Sequence, residues 1–263
     1  MSPPREFPAG GYRYLPFAFQ YSAGVAALPG FTIERIRLSE PVRLSDGFAL
    51  IRETLAEMGR PLAALCACEL RSPAPFTPQG FHDFNKIYVE TLKAWGIYGG
   101  GTDDNPVART NVCPELDPPR EPSLYAFSFT VEAANAAPSF VIAGSGEATA
   151  ENVPYEQKTI RYGETSPDAM REKARFVVNE IGRRLGALGF DWRHVTAGQV
   201  YTVYEFSMAW LDPATHRHGV TWHYARPPVN ALAFELDCRA VAVERVIGVM
   251  CGRPRACKDF FER

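Results

Sequence analysis

Residues 53–70, ETLAEMGRPLAALCACEL, and residues 183–204, RRLGALGFDWRHVTAGQVYTVY, speak one phrase twice. Each closes a helical pattern, passes through Met58-Gly59 or Leu188-Gly189, takes a short step and enters an apolar, strand-like run. Glycine just past the last periodic residue is the common way to end a helix, because it adopts the left-handed conformation without a Cβ clash. A supersecondary phrase that returns after roughly 130 residues marks a duplicated unit. The expectation is two homologous α+β units, each with a helix-covered sheet.

The flanks extend the pattern. Residues 12–19 and the alternating run FTIERIRL (31–38) read as strands. Ser45-Asp46 is placed to cap the helix GFALIRETLAEMG (47–59), where Phe48, Ile51, Leu55 and Met58 fall at helical spacing. A second amphipathic helix, FHDFNKIYVETLKAWG (81–96), sets Phe81, Phe84, Tyr88 and Leu92 on one face. The strands VARTNVCPE (107–115) and SLYAFSFTVEA (123–133) follow around Pro118-Pro119, and EAANAAP (132–138) reads as a linker. Beyond it come the strand SFVIAGSGEA (139–148) and a helix opened by Ser166-Pro167-Asp168. That helix carries a stripe of Met170, Ala174, Val177, Ile181 and Leu185 and closes at Gly189. Strand-like runs at 195–206, 221–230 and 231–247 complete the order. The division expected is 1–131, a linker at 132–138, and 139–263.

Composition narrows the function classes. A net charge of −2 with interspersed signs lacks the basic stripe of a nucleic-acid binder, and Arg183-Arg184 reads as a solvated helix face. No run approaches the roughly 18 apolar residues of a membrane span, and residues 1–11 lack a secretory apolar region, so a cytoplasmic protein is expected. The six cysteines show no CxxC spacing and read as reduced thiols, with Cys66 and Cys68 on one side of a strand. The glycines at 99–101 follow a helix and precede no Lys-Ser/Thr, so they form a loop rather than a phosphate cradle. His216, His218 and His223 have the types for a metal site, but DPATHRHG looks like an exposed loop without a supporting carboxylate. No metal or organic cofactor is called for.

Several phrases together resemble the RidA-type family. Gln20-Tyr21-Ser22, DFNKIY (83–88) and PVARTNV (106–112) are similar to its N-terminal tyrosine motif, its helix and its arginine strand. FVIAGSG (140–146) with Glu147, the 183–204 phrase and LAFELDCRAVAV (232–243) are similar to its first strand, helix–strand junction and closing strand. Two-domain relatives include deaminases of 2-aminomuconate or its chloro derivative and, more remotely, chorismatases; PAGGYRYLPFAFQYSAGVAALPG (8–30) resembles the former. The resemblance implies two fused α+β, chorismate-mutase-like domains packed in pseudo-trimeric fashion, in a homo-oligomer with pockets between domains. It implies an enzyme that deaminates a small enamine or imine carboxylate and releases ammonia. Its rivals are a chorismatase-like hydrolase and a non-catalytic small-molecule binder.

Carried over by position, the site is asymmetric. Arg109 matches the family's carboxylate-binding arginine and Tyr21 its pocket tyrosine, while LYAFSFT offers Tyr125 or Phe127 where an acid belongs. In the second half Glu235 matches the acid that orients water, with Glu147 as a second candidate acid. Arg226 is the candidate arginine there, nine positions before Glu235, with Tyr224 and Trp222 as pocket aromatics. Either the halves complete one site together, or the pockets have degenerated. The chemistry asks for little: a guanidinium to grip a carboxylate and one carboxyl group to position water and move protons. Bland readings stand beside each residue: an ion pair for Arg109, a salt bridge or edge position for Glu235, a solvent-facing loop for Glu147, packing for Tyr21, a structural thiol for Cys113.

Overall fold

A computed structural model describes residues 2–151, 153–250 and 253–254. Cys251 and Cys257 lie outside the described residues; Cys66, Cys68, Cys113 and Cys238 are free and buried. The chain opens with β1 (Arg5–Phe7), β2 (Tyr12–Tyr14), β3 (Gly24–Ala27) and β4 (Phe31–Arg43), followed by α1 (Leu44–Glu57) and β5 (Leu65–Arg71). Then come α2 (Pro78–Ala94), β6 (Ala108–Pro114) and β7 (Ser123–Glu132). The later part holds β8 (Phe140–Gly146), the single turn α3 (Tyr155–Lys158), α4 (Pro167–Ala187) and β9 (Ala197–Tyr201). Then come β10 (Val220–His223), β11 (Ala225–Arg226), β12 (Glu235–Ala240) and β13 (Val243–Ile247), and a short antiparallel pair, β14 (Val249–Met250) and β15 (Arg253–Pro254), follows.

This mixed α+β chain builds two large sheets, ordered β11-β6-β5-β7-β4-β13 and β1-β2-β3-β8-β12-β9-β10. Within them β4-β7-β5-β6 and β8-β12-β9-β10 follow one order: first strand, last, second, third. In both, the second and third strands are parallel and the other neighbours antiparallel. Where the first set has α2, the second has only the 3-10 turns Met208–Trp210 and Pro213–Arg217. Each sheet also borrows: β3 adds antiparallel to β8, and β13 adds parallel to β4.

Two large apolar cores result, with smaller clusters beside them. One lies under α1 and α2 and includes Ile51, Leu55, Tyr88, Leu92 and Phe127; the other lies under α4 and includes all five residues of its expected stripe. Fully burying each Val, Leu or Ile contributes about 1.5–3 kcal/mol, so the stripe anchors α4 far more strongly than its caps do. Ser166 caps α4 as expected, accepting from the Ala169 N–H, and Gly59 and Gly189 take φ of +64° and +84° beyond their helices.

Four expectations need correction. First, α1 begins at Leu44 with no side-chain cap, because β4 runs straight into it; Asp46 sits in its first turn, favoured there by the helix dipole. Second, the strand expected at 12–19 stops at Tyr14, two residues before Pro16, which has no N–H to donate, and that expected at 195–206 shrinks to Ala197–Tyr201. Third, the run 231–247 splits into β12 and β13 on different sheets. Fourth, the β5–β7 ladder shifts register between Leu65 and Ala67, so Cys66 packs with Tyr12 and Ala67 while Cys68 faces the core under α1 and α2. Among the described residues, no helix is long and apolar enough to cross a membrane.

Candidate active site

The two sheets meet across β6, β8 and β12. On β6, Arg109 and Asn111 are two residues apart and so share one face. Arg109 is 3% exposed, and its guanidinium lies 4.8 Å from the Tyr88 ring centroid, 5.4 Å from Tyr21, 5.5 Å from Phe81 and 5.9 Å from Phe84. Among the described residues no carboxylate ion-pairs with it; its Nη1 and the Asn111 Nδ2 have no hydrogen-bond partner. Asn111 Oδ1 meanwhile accepts from the Ser72 hydroxyl at 3.0 Å, which fixes the amide. Burial lowers the Arg109 pKa from its ordinary value, yet a guanidinium remains charged in any protein. A buried cation without a counter-ion is costly; the aromatic faces offset part of that cost.

Glu235, the first residue of β12, faces the same cavity. This cavity, of about 70 Å3, is lined by Tyr21, Phe81, Arg109, Asn111, Tyr155 and Glu235, with Gly144, Gly146 and Leu232 beside them. Burial, helped by Asp237 and Glu147, pushes the Glu235 carboxyl well above the usual carboxylate range, with Arg109 and Arg184 pulling the other way. Gly144 leaves room for it: a Cβ there would lie 2.1 Å from Glu235 Oε1. Tyr155, on α3, has its phenol raised to about 12 by burial and by its neighbours Tyr21 and Glu235.

The other predicted residues are elsewhere. Glu147 is fully buried: its carboxylate accepts from Lys173 Nζ at 3.1 Å, from the Ala233 N–H at 2.6 Å and from the Phe234 N–H at 3.1 Å. It ties the end of β8 to the entry of β12 and lies outside the cavity lining. Arg226 forms a two-pronged pair with Glu115 at 2.8 and 3.2 Å. Tyr224 and Trp222 are each 48% exposed, the latter donating to the Thr202 carbonyl. His216 and His223 point to Met208 O and Gln199 Oε1, and among the described residues no three metal-capable side chains gather. Cys113 is buried, and burial lifts its thiol to about 12, the state of an inert thiol.

Sequence reading passed over Asn111, Phe81, Gly144 and Tyr155. Asn111 was within reach, since strand periodicity puts it beside Arg109; Gly144 and Tyr155 depend on which strands become neighbours. It also misjudged Arg184, which is 3% exposed rather than solvated. Arg184 donates to Glu180 Oε1, to the carbonyls of Ala143 and Gly144 and to Ser145 Oγ, and so clamps the strand that carries Gly144.

A second cavity of about 440 Å3 adjoins the first, sharing Tyr21, Phe81, Gly146, Tyr155 and Leu232, and is walled by Phe17, Lys158, Arg183 and Arg184.

The family model described as 2-aminomuconate deaminase CnbZ matches residues 4–245. The 2-amino-5-chloromuconate deaminase of Comamonas testosteroni is 47% identical over 248 residues, spanning 92% of this chain and 98% of that protein. Among solved structures, a chorismatase aligns over 84% of this chain and 77% of its own at 11% identity with a TM-score of 0.46. RidA from an Antarctic Psychrobacter aligns over 42% and 84% at 16% identity with a TM-score of 0.29.

Proposed function

Because the chain belongs to the 2-aminomuconate deaminase family, we propose that it hydrolytically deaminates a 2-aminomuconate-type enamine carboxylate and that Arg109 and Glu235 carry the reaction. The observation that bears most weight is the meeting of two unsatisfied buried donors, Arg109 Nη1 and Asn111 Nδ2, with the buried Glu235 carboxyl group, pushed well above the usual carboxylate range, around one cavity.

Unpaired buried donors are what a carboxylate would satisfy. With the substrate carboxylate on Arg109 and Asn111, the adjoining amino-bearing carbon lies toward Glu235. The protonated carboxyl group delivers a proton to the enamine carbon, giving an iminium ion. The carboxylate so formed takes a proton from water as that water adds to the iminium carbon. Glu235 then passes its proton to the carbinolamine nitrogen, ammonia leaves as the hydroxyl oxygen gives its proton back to the Glu235 carboxylate, and a 2-oxo acid remains. Every proton is returned, and one water is consumed for one ammonia released. Tyr21, Tyr155 and Phe81 wall the cavity, and the aromatic cage keeps the guanidinium in place while the site is empty.

On this reading the division 1–131 and 139–263 separates the source of the arginine from that of the acid, and one composite site serves the chain. A cytoplasmic, self-associating enzyme acting on a small-molecule substrate fits the same reading. The test is ammonia release from freshly generated 2-aminomuconate. Arg109→Ala should lower kcat/KM by about 10- to 150-fold, the worth of a hydrogen bond to a charged group. A wild-type rate no faster than spontaneous hydrolysis would end the deaminase reading, and pyruvate release from chorismate would put the hydrolase in its place.

A further inference from the structure

The reactive cavity is too small for the substrate class just proposed. Pockets that enclose small organic ligands run roughly 300–1,000 Å3; the Arg109–Glu235 cavity has about 70 Å3 and its neighbour about 440 Å3. A muconate chain anchored at Arg109 must therefore run past Tyr155 and Leu232 into the larger cavity. Its second carboxylate then arrives at a wall that holds Lys158, Arg183 and Arg184 together with Glu180, which pairs with both arginines and leaves Lys158 as the cation there without a carboxylate partner among the described residues.

These three cations are not equivalent. Arg184 spends its donors on Glu180, two carbonyls and Ser145. Arg183 is held by Glu180 and its side chain is 58% exposed. Lys158 has three donors, one of which reaches the Glu151 carbonyl at 3.3 Å, and among the described residues no carboxylate pairs with it. Its ammonium lies 4.5 Å from the ring centroid of Tyr155, the residue that walls both cavities. Partial burial lowers its pKa from the ordinary lysine value, so an arriving anion would stabilise its charged form.

Resting on the deaminase reading, we infer that Lys158 is the determinant that selects dicarboxylates, gripping the carboxylate remote from the reacting carbon while Arg109 grips the near one. Substituents on the remote half of the chain then fall in the larger cavity, clear of Glu235.

The test needs no turnover. Binding of muconate and of sorbate, the same dienoate with a methyl group in place of one carboxylate, is measured by calorimetry on the whole protein. Wild type should bind muconate at least about tenfold more tightly, as expected for a partly desolvated charge pair. Lys158→Met should cut that ratio to about twofold or less, and Lys158→Arg should restore much of it. A ratio near one in wild type, or a ratio untouched by Lys158→Met, overturns the proposal. If muconate selectivity behaves as expected while 2-aminomuconate is not deaminated, the reaction assignment fails and the dicarboxylate site stands. Deamination without muconate selectivity keeps the reaction and removes Lys158 as its selector.

Discussion

Gly144 and Glu235 are coupled by space rather than by bonds. Gly144→Ala would push a Cβ to 2.1 Å from Glu235 Oε1, so either the carboxyl group or β8 must move. A misplacement of about 1 Å at a reacting group costs roughly 100-fold in rate. We expect that loss in kcat from Gly144→Ala, with the circular dichroism spectrum unchanged. Glu235 also makes a stability prediction with a definite sign. Its folded pKa is raised, so its favourable contribution is complete below the ordinary carboxylate range and is lost as pH rises through the folded value. Glu235→Gln removes that penalty. The variant should match wild type in Tm near pH 4 and exceed it at pH 8; in unfolding free energy the gap grows at about 1.4 kcal/mol per pH unit up to the folded pKa. Equal melting curves at pH 8 would show that the carboxyl group is not held neutral.

At the scale of elements, the seam between the sheets is held by charge. Arg35 on β4 grips Glu69 on β5 through bonds of 2.6 and 2.8 Å, and Gln199 on β9 reaches Glu69 from the other sheet at 3.3 Å. Gln199 also donates to Asp237 at 2.9 Å, as do Thr110 at 2.7 Å and Tyr201 at 2.9 Å. Arg35 holds Glu69 well below the usual carboxylate range despite burial, while burial and the Glu69 charge raise Asp237. Removing one member of a buried pair leaves the other uncompensated, at about 3–5 kcal/mol. Glu69→Ala should therefore destabilise the protein by that amount in urea unfolding, whereas Arg226→Ala, which breaks a more exposed pair with Glu115, should stay within about 1 kcal/mol. This seam also marks where sequence reading stops. The helices, their stripes and the glycine ends were legible because periodicity is local. Arg109 and Glu235 were legible as residue types in a recognisable phrase. That they share a cavity was not, because it depends on β6 and β12 meeting across sheets; nor was the burial of Arg184, which besides Glu180 has acceptors on β8, some 40 residues away in sequence.

For the molecule as a whole, the borrowed strands matter most. β3 completes the sheet of the later half, and β13 completes that of the earlier half. A protease nick within 133–138 should leave the two pieces bound together through gel filtration and active. Fragments 1–131 and 139–263 made separately should each expose an unpaired sheet edge and aggregate; two soluble, monomeric fragments would contradict this topology.

The crossed strands also bear on how such a chain could change over generations. Two identical neighbours are redundant, and either can be lost without harm. Once each has lent a strand to the other, deletion of either removes both, so inheritance treats the pair as one. Selection then no longer asks each half to keep a complete set of working parts. An arginine on one side and an acid on the other is an arrangement that such a partnership permits.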